Sequence, residues 1–191
     1  RLNVSTENRT KISGARVLVV DDNQINLEVA KGMLADLPIE IELAMDGQEA
    51  LEALKSAEEQ DRSFHCILMD CQMPILNGYD TSQKIRQGIA GAQYCTIPII
   101  AMTANAMLGE KEKCLESGMN DYTTKPINPD VLLAKVVYWI LTVYQSSQND
   151  HKPTLGLTPK TQEVNDSLAP ENIVWDKQSA LTRLMNNEAL L

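Results

Sequence analysis

The sequence alternates short apolar runs with longer amphipathic segments five times between residues 16 and 144. The apolar runs have the length of buried β-strands and lie at 16–20, 39–44, 64–69, 97–102 and, in a shorter form, 121–124. The segments between and after them predict helices at 24–37, 47–59, 78–89, 106–117 and 128–144. Continuously apolar strands that alternate with helices form a parallel sheet covered on both faces. The chain is therefore predicted to contain a doubly wound α/β domain with a five-stranded parallel sheet.

The segments on either side of this pattern have a different composition. Residues 1–14 are polar and without periodicity, which predicts a linker and assigns the domain to 15–144. Residues 145–172 are rich in Ser, Thr, Asn, Gln and Pro, which predicts a flexible C-terminal linker. Residues 173–191 return to a helical pattern and predict one extra helix. Because the chain begins without Met and ends inside an apolar pattern, we expect it to be part of a longer protein.

Charge, hydropathy and cysteine usage exclude several classes of function. A net charge of −9 argues against a nucleic-acid-binding surface, and no apolar run is long enough to span a membrane. The cysteines form no C-x-x-C motif, and Cys66, Cys95 and Cys114 are predicted to be reduced residues in or near the core. His65 and His151 are too few for a metal cluster. We therefore expect a cytoplasmic domain without structural zinc or disulfide bonds.

Polar side chains follow the carboxyl ends of four predicted strands. They are Asp21 and Asp22 after the first strand, Asp70 after the third, Thr103 after the fourth and Lys125 after the fifth. Ligands of doubly wound sheets bind outside these strand ends, so we expect the five side chains to converge. Adjacent carboxylates repel each other unless a hard cation such as Mg²⁺ neutralises them. The sequence therefore predicts a magnesium site at this edge of the sheet.

Each of these features also has an interpretation without function. Two acids after a strand can cap the following helix, and a single Asp at a strand end is often a turn residue. Lys125 stands before a proline, where a solvated loop lysine is common. The joint arrangement at the ends of several strands favours a site over these separate interpretations.

Five stretches of the sequence carry a family resemblance. They are VLVVDDNQINLEVA, AMDGQEAL, CILMDCQMPILNGYD, IPIIAMTANAM and GMNDYTTKPI. Together they cover residues 16 to 144 and resemble the receiver domains of two-component response regulators, most closely those of hybrid sensor histidine kinases. The resemblance implies a flavodoxin-like receiver fold. One departure is Asn77, where the hybrid group commonly has an acid before the glycine, and asparagine also suits that turn.

The resemblance implies roles for the acidic residues and the lysine. Asp70 would be the phosphoacceptor. Asp22 and Asp70 would bind Mg²⁺ directly, together with the backbone carbonyl of Gln72, and Asp21 would contribute through water. Lys125 would pair first with Asp70 and later with the phosphoryl oxygens.

The resemblance also implies a conformational switch and a control of lifetime. Thr103 would donate a hydrogen bond to the phosphoryl group, and Tyr122 would change rotamer in response. Gln72 and Asn105 would tune the lifetime of the phosphorylated state, although ordinary loop polarity explains either residue as well. We expect the Lys125–Pro126 peptide bond to be cis.

Two functions from different classes involve a phosphorylated aspartate. The first is a receiver module of a phosphorelay, which takes a phosphoryl group from a phosphohistidine onto Asp70 and passes it on. Its partners would be a kinase phosphohistidine domain and a histidine-phosphotransfer domain, with no nucleic acid and no direct membrane contact. The fragment would show only Mg²⁺-dependent self-phosphorylation and slow self-dephosphorylation, within a hybrid kinase anchored in the inner membrane. The alternative is a small α/β phosphatase, which needs an Asp-x-Asp pair, whereas Cys71 and Gln72 follow Asp70.

The C-terminal stretch VWDKQSALTRLMNNEALL resembles the opening helix of a histidine-phosphotransfer domain. The phosphorylatable histidine of such a domain would lie beyond Leu191, and His151 stands in the predicted linker instead. Residues 176–190 are expected to be helical, with an apolar stripe at helical spacing. A C-terminal helix that docks on its own domain remains the alternative interpretation.

Overall fold

A five-stranded parallel sheet forms the centre of the molecule in a computed structural model that describes residues 4–104 and 108–149. The strands are β1 (Arg16–Val20), β2 (Glu40–Ala44), β3 (Cys66–Asp70), β4 (Ile99–Thr103) and β5 (Asp121–Thr124). Their spatial order is β2-β1-β3-β4-β5, and every pair is parallel. The helices are α1 (Thr6–Lys11), α2 (Gln24–Leu34), α3 (Gly47–Glu59), α4 (Gly78–Arg86), α5 (Leu108–Glu116) and α6 (Pro129–Asn149). The predicted fold class is confirmed.

Side chains of each central strand alternate between two hydrophobic clusters, one on each face of the sheet. Leu18 and Val20 of β1 belong to the cluster that α3, α4 and α5 cover, with Leu54 among its fully buried members. Val17 and Val19 belong to the cluster on the opposite face, which α1, α2 and α6 cover. Because both faces are covered, the central strands have no polar face, which is why their sequences are continuously apolar.

Side chains directly before three helices accept hydrogen bonds from the first helical turn. Asn23 caps α2, Asp46 caps α3 and Asn77 caps α4. Asn23 and Asn77 lie in loops that leave the carboxyl ends of β1 and β3. These caps fix where the helices begin and therefore how the loops cross the edge of the sheet.

The N-terminal segment is part of the domain, so the prediction of a linker over residues 1–14 is wrong for its described part. Ser5 caps α1, and Val4 and Ile12 on either side of this helix are buried in the cluster with α2 and α6. The helix is only six residues long and exposes polar side chains. It therefore shows no apolar periodicity in the sequence, although its two flanking residues anchor it to the core.

The C-terminal helix continues beyond its predicted end. Helix α6 reaches Asn149, so residues 145–149 are helical and not part of a flexible linker. The rest of the predicted linker and the predicted helix at 176–190 lie outside the described residues. Among the helices that the structure describes, none combines the length and the apolar character needed to cross a membrane.

Candidate functional site

The sheet topology brings the predicted site residues to one edge. Strands β1 and β3 are neighbours, and Val20 lies opposite Met69, so the residues that follow, Asp21 and Asp70, lie side by side. Strand β4 lies on the other side of β3 and ends at Thr103. Thr103 pairs with Thr124, the residue before Lys125. Four separate chain segments therefore meet at this edge.

Lys125 bridges the two buried carboxylates. Its Nζ lies 2.7 Å from Oδ2 of Asp21 and 2.8 Å from Oδ2 of Asp70. The Asp21 side chain is 1% exposed and that of Asp70 is 7% exposed, whereas that of Lys125 is 24% exposed. One cation is thus held between two anions at the boundary between the core and the solvent.

Asp21 is fixed on its other side by helix α2 and the loop before it. Its Oδ1 accepts hydrogen bonds from the backbone N–H of Asn23 and from Nδ2 of Asn26, both at 2.9 Å. Because Asn23 itself caps α2, neither Asp21 nor Asp22 serves as the helix cap. The interpretation of the two acids as helix-capping residues is therefore wrong.

The three carboxylates can together hold a cation. Asp21, Asp22 and Asp70 each offer an oxygen within 4.8 Å of the others, and only Asp22 is exposed. Oxygen donors of this kind, open to water on one side, fit Mg²⁺, which takes a few carboxylates and keeps several waters. Asp22 and Gln72 also line a cleft of about 420 Å³ that opens beside this group. The residues present therefore fit a magnesium ion.

The surroundings of the site shift two pKa values upwards. Burial raises the pKa of Asp70, and the charge of Asp21 adds to this effect, although the hydrogen bond from Lys125 opposes it. Burial alone would lower the pKa of Lys125, but its hydrogen bonds to Asp21 and Asp70 outweigh burial and raise it. The lysine thus stays charged, and Asp70 is a more basic carboxylate than an exposed one.

Two further predicted residues lie on neighbouring strands. Thr103 is buried at the end of β4. Tyr122 is half-buried on β5, where the ammonium groups of Lys111 and Lys135 lie 5.9 and 5.4 Å from its ring centroid. The Lys125–Pro126 bond is cis, as predicted. Asn105 lies outside the described residues.

Several partners of the site were not predicted from the sequence. Asn26 holds Asp21, and its only signal was a polar residue in the first turns of α2. Oη of Tyr79 lies 2.5 Å from Oε2 of Glu110, which joins α4 to α5 beside the cleft. Lys135 forms a buried ion pair with Asp121. The presence of a lysine in the apolar stripe of the predicted helix at 128–144 was a signal for this pair.

A family model and a curated relative match the domain. The model for the response regulator receiver domain matches residues 17–137. Hybrid signal transduction histidine kinase I of Dictyostelium discoideum is 43% identical over 147 residues, which cover 74% of this chain and 8% of that protein. The chain therefore spans a small fraction of the length of this relative.

Solved structures of two similar proteins show the same fold. One is the receiver domain of sensor histidine kinase PA1611 from Pseudomonas aeruginosa PAO1, which has a magnesium ion coordinated in its active site cleft. It is 38% identical, with a TM-score of 0.58 over 67% of this chain and 98% of that one. The other is a chain of the Saccharomyces cerevisiae co-crystal of the histidine phosphotransfer protein Ypd1 with the receiver domain of Ssk1. It is 32% identical, with a TM-score of 0.60 over 69% of this chain and 92% of that one.

Proposed function

The chain belongs to the response regulator receiver domain family, and we propose on this basis that Asp70 accepts a phosphoryl group from a phosphohistidine and passes it on. The observation that carries this assignment is the position of Asp70. It is buried at the end of β3, and the Nζ of Lys125 lies 2.8 Å from its carboxylate while also contacting Asp21. A nucleophile and a fixed positive charge are the main requirements of phosphoryl transfer.

The residues of the chain supply the nucleophile and one of the positive charges for the transfer step that we propose. An oxygen of Asp70 forms the new bond to phosphorus as the phosphorus–nitrogen bond of the phosphohistidine breaks, and the electron pair stays on the imidazole. The ammonium group of Lys125 can exchange its contact with Asp70 for one with the phosphoryl oxygens. Its second contact, with Asp21, keeps it beside the site during this exchange. Negative charge on those oxygens is thus met by a group that is already oriented.

Magnesium is the cofactor that the donor set favours. We propose that Asp22 and Asp70 bind it directly with the backbone carbonyl of Gln72, and that Asp21 contributes through water. When bound, Mg²⁺ would neutralise charge on the carboxylates and on the phosphoryl oxygens. Support comes from the three clustered carboxylates and from the magnesium ion of the similar PA1611 receiver domain.

A phosphatase of the aspartyl-phosphate type is not favoured. Such an enzyme needs a second acid two residues after the nucleophile, and the residue in that position is Gln72. No carboxylic acid is therefore placed there to activate water. The acyl phosphate should persist long enough to be passed on, and we propose that Gln72 and Asn105 tune its lifetime.

Phosphorylation should be read out on the face formed by α5, β5 and α6, through Thr103 and Tyr122. Thr103 ends β4, which lies next to β3, and Tyr122 lies on β5, which lies next to β4. In the Thr103→Ala variant, Asp70 should still bind beryllofluoride, whereas the chemical-shift changes on β5 and α6 should shrink. Equal shift changes in the variant and the wild type would show that the coupling follows another route.

The protein that contains this domain is proposed to be a hybrid histidine kinase whose membrane anchor lies elsewhere in its chain. Its phosphohistidine domain would be the donor, and a histidine-phosphotransfer domain would be the acceptor. The similarity to the Dictyostelium kinase supports the first partner. The co-crystal of Ypd1 with a receiver domain supports the second. The fragment alone is proposed to label and release phosphate slowly, without turnover of a separate substrate.

Labelling by acetyl phosphate tests the central assignment. Wild-type chain with Mg²⁺ should gain one hydroxylamine-sensitive phosphoryl group, and EDTA should prevent the labelling. Asp70→Asn should abolish it. The matched control is Asp36→Asn, which makes the same chemical change at an exposed position outside the site and should label normally. Full labelling of the Asp70→Asn variant would refute the assignment.

A further inference from the structure

Two cysteines lie in contact directly behind the proposed phosphorylation site. The Sγ atoms of Cys71 and Cys114 are 3.8 Å apart, although the residues are separated by 43 positions in the sequence. Cys71 follows Asp70 at the end of β3, and Cys114 lies in the last turns of α5. Both thiols are free, and each residue is 1% exposed. The proposed transfer of the phosphoryl group uses neither of them.

The cleft beside the site leads to this pair. Cys71 lines the cleft together with Asp22, Gln72, Tyr79 and Lys113. The ammonium group of Lys113 lies 4.2 Å from the ring centroid of Tyr79 and faces the same opening. A small solute in the cleft therefore comes next to Cys71, whose sulfur lies 3.8 Å from that of Cys114.

We propose that Cys71 and Cys114 form a redox-sensitive pair, which hydrogen peroxide converts into an intramolecular disulfide that slows the phosphorylation of Asp70. Formation of the bond does not depend on the function proposed above, whereas its effect on phosphorylation does rest on that function. The oxidant is a small peroxide, and a dithiol reductant reverses the reaction.

The reaction balances with one equivalent of peroxide. The Cys114 thiolate attacks one oxygen of hydrogen peroxide, the oxygen–oxygen bond breaks, and the leaving hydroxide takes a proton to become water. The sulfenic acid on Cys114 is then attacked by the sulfur of Cys71, which loses its proton as the hydroxyl group leaves as a second water. The two thiols lose two electrons and two protons in total, and the peroxide is reduced to two waters.

The geometry and the chemistry of the pair favour this bond. A disulfide needs about 2.05 Å between its sulfurs, so the two atoms must approach by roughly 1.8 Å. The hydrogen bond from the Cys71 thiol lowers the pKa of Cys114 and, with a smaller effect from Lys113, outweighs burial, which raises that pKa. The thiolate is the form that reacts with peroxide. Burial, in contrast, raises the pKa of Cys66.

The new bond would pull on the chain next to the phosphoacceptor. The backbone N–H of Cys71 donates to the carbonyl oxygen of Met102 at 3.1 Å. The next N–H, that of Gln72, donates to Oδ1 of Asp70 at 3.3 Å. A shift of Cys71 towards α5 therefore changes the orientation of the Asp70 carboxylate and ties α5 to the loop after β3. Both effects oppose the rearrangement that phosphorylation requires.

Peptide mapping tests the bond without any substitution. The chain is treated with hydrogen peroxide, its remaining thiols are alkylated in denaturant, and its peptides are analysed by mass spectrometry. We expect a monomer that has lost two hydrogen atoms, a linked pair of peptides that contain Cys71 and Cys114, and alkylated Cys66 and Cys95. Four alkylated thiols, or a linkage through Cys66 or Cys95, would overturn the proposal.

Acetyl phosphate labelling tests the consequence on the same samples. The oxidised wild-type chain should label several-fold more slowly than the reduced chain and recover after treatment with dithiothreitol. Cys114→Ser should label at the same rate before and after peroxide, and Cys95→Ser should behave like the wild type. Equal rates for the reduced and the disulfide-bonded wild type would overturn the regulatory part. If the reduced wild type fails to label, the proposed function is wrong, and the disulfide can still be scored by mass.

Discussion

At the scale of single residues, the ionised carboxylate of Asp70 destabilises the folded state at neutral pH. Its pKa is raised, first by burial and then by the charge of Asp21. The folded state therefore favours the protonated form more than the unfolded state does. The contribution of this group to stability is full below the unfolded pKa of about 4 and is lost as the pH rises through the higher folded value.

The Asp70→Asn variant should consequently be more stable than the wild type at pH 7 in the presence of EDTA. The amide carries no charge, and Lys125 keeps Asp21 as its ionic partner. The difference should narrow as the pH falls and vanish below about 4, where Asp70 is protonated in both states. Urea unfolding at several pH values measures this. An Asp70→Asn variant less stable than the wild type at pH 7 would contradict the prediction.

A second buried charged group lies near Tyr122, and its ion pair stabilises the folded state, whereas the charge of Asp70 destabilises it. Lys135 and Asp121 are 3% and 4% exposed and form an ion pair, and Nε1 of Trp139 donates to the other carboxylate oxygen of Asp121 at 3.1 Å. Asp121→Asn leaves the ammonium group buried without its counterion. We expect a loss of about 3–5 kcal/mol in the free energy of unfolding.

A double-mutant cycle isolates this pair. Adding Lys135→Met to Asp121→Asn should restore most of the lost stability, because the unpaired charge is then removed. The control is the exposed pair of Glu7 and Lys11, where Glu7→Gln should change stability very little. If Asp121→Asn unfolds at the urea concentration of the wild type, the pair contributes nothing to the fold.

At the scale of secondary-structure elements, the short N-terminal helix is anchored by Val4 and Ile12, of which Ile12 is the larger and the more deeply buried. Ile12 is 0% exposed and packs in the cluster with α2 and α6. Ile12→Ala should cost about 2–5 kcal/mol in the free energy of unfolding, since it removes a fully buried side chain. The neighbouring Lys11 is exposed, and Lys11→Ala should cost far less. Equal unfolding midpoints for the two variants would mean that α1 does not contribute to the core.

The elements that the sequence predicted well are those whose pattern arises from burial on both faces. The predicted bounds of β1, β3 and β4 differ from the observed ones by at most two residues at either end, because a buried strand shows a continuous apolar run. Helix α1 left no such signal, since only the residues beside it are buried. The last residues of α6 are polar and carry no apolar stripe. The predicted end therefore lies before the observed one.

The residues of the candidate site also fall into two groups, those that were predicted from the sequence and those that were not. Residues at strand ends were found because a parallel sheet collects them at one edge, as it does for Asp21 and Asp70. Partners that depend on how a helix lies against the sheet were not found. The contact between Cys71 and Cys114 exists only because α5 packs beside the end of β3. No sequence spacing encodes that packing.

At the scale of the whole molecule, magnesium should stabilise the domain against unfolding. The carboxylates that we propose as ligands come from the loop after β1 and from the end of β3, so the unfolded chain does not hold them together. Binding to the folded state alone adds about 2.7 kcal/mol at a hundred times the dissociation constant. Thermal unfolding with Mg²⁺ and with EDTA measures this gain. Asp22→Asn should reduce it strongly, and an equal gain in this variant would exclude the proposed ligand.

The site is complete only after most of the domain has been synthesised. Lys125 lies 104 residues after Asp21 and 55 after Asp70, and it directly follows the last strand of the sheet. A nascent chain on the ribosome therefore carries both carboxylates long before the lysine between them exists. On the function proposed here, a half-made or truncated copy cannot accept a signal, because competence arrives only when β5 joins the sheet.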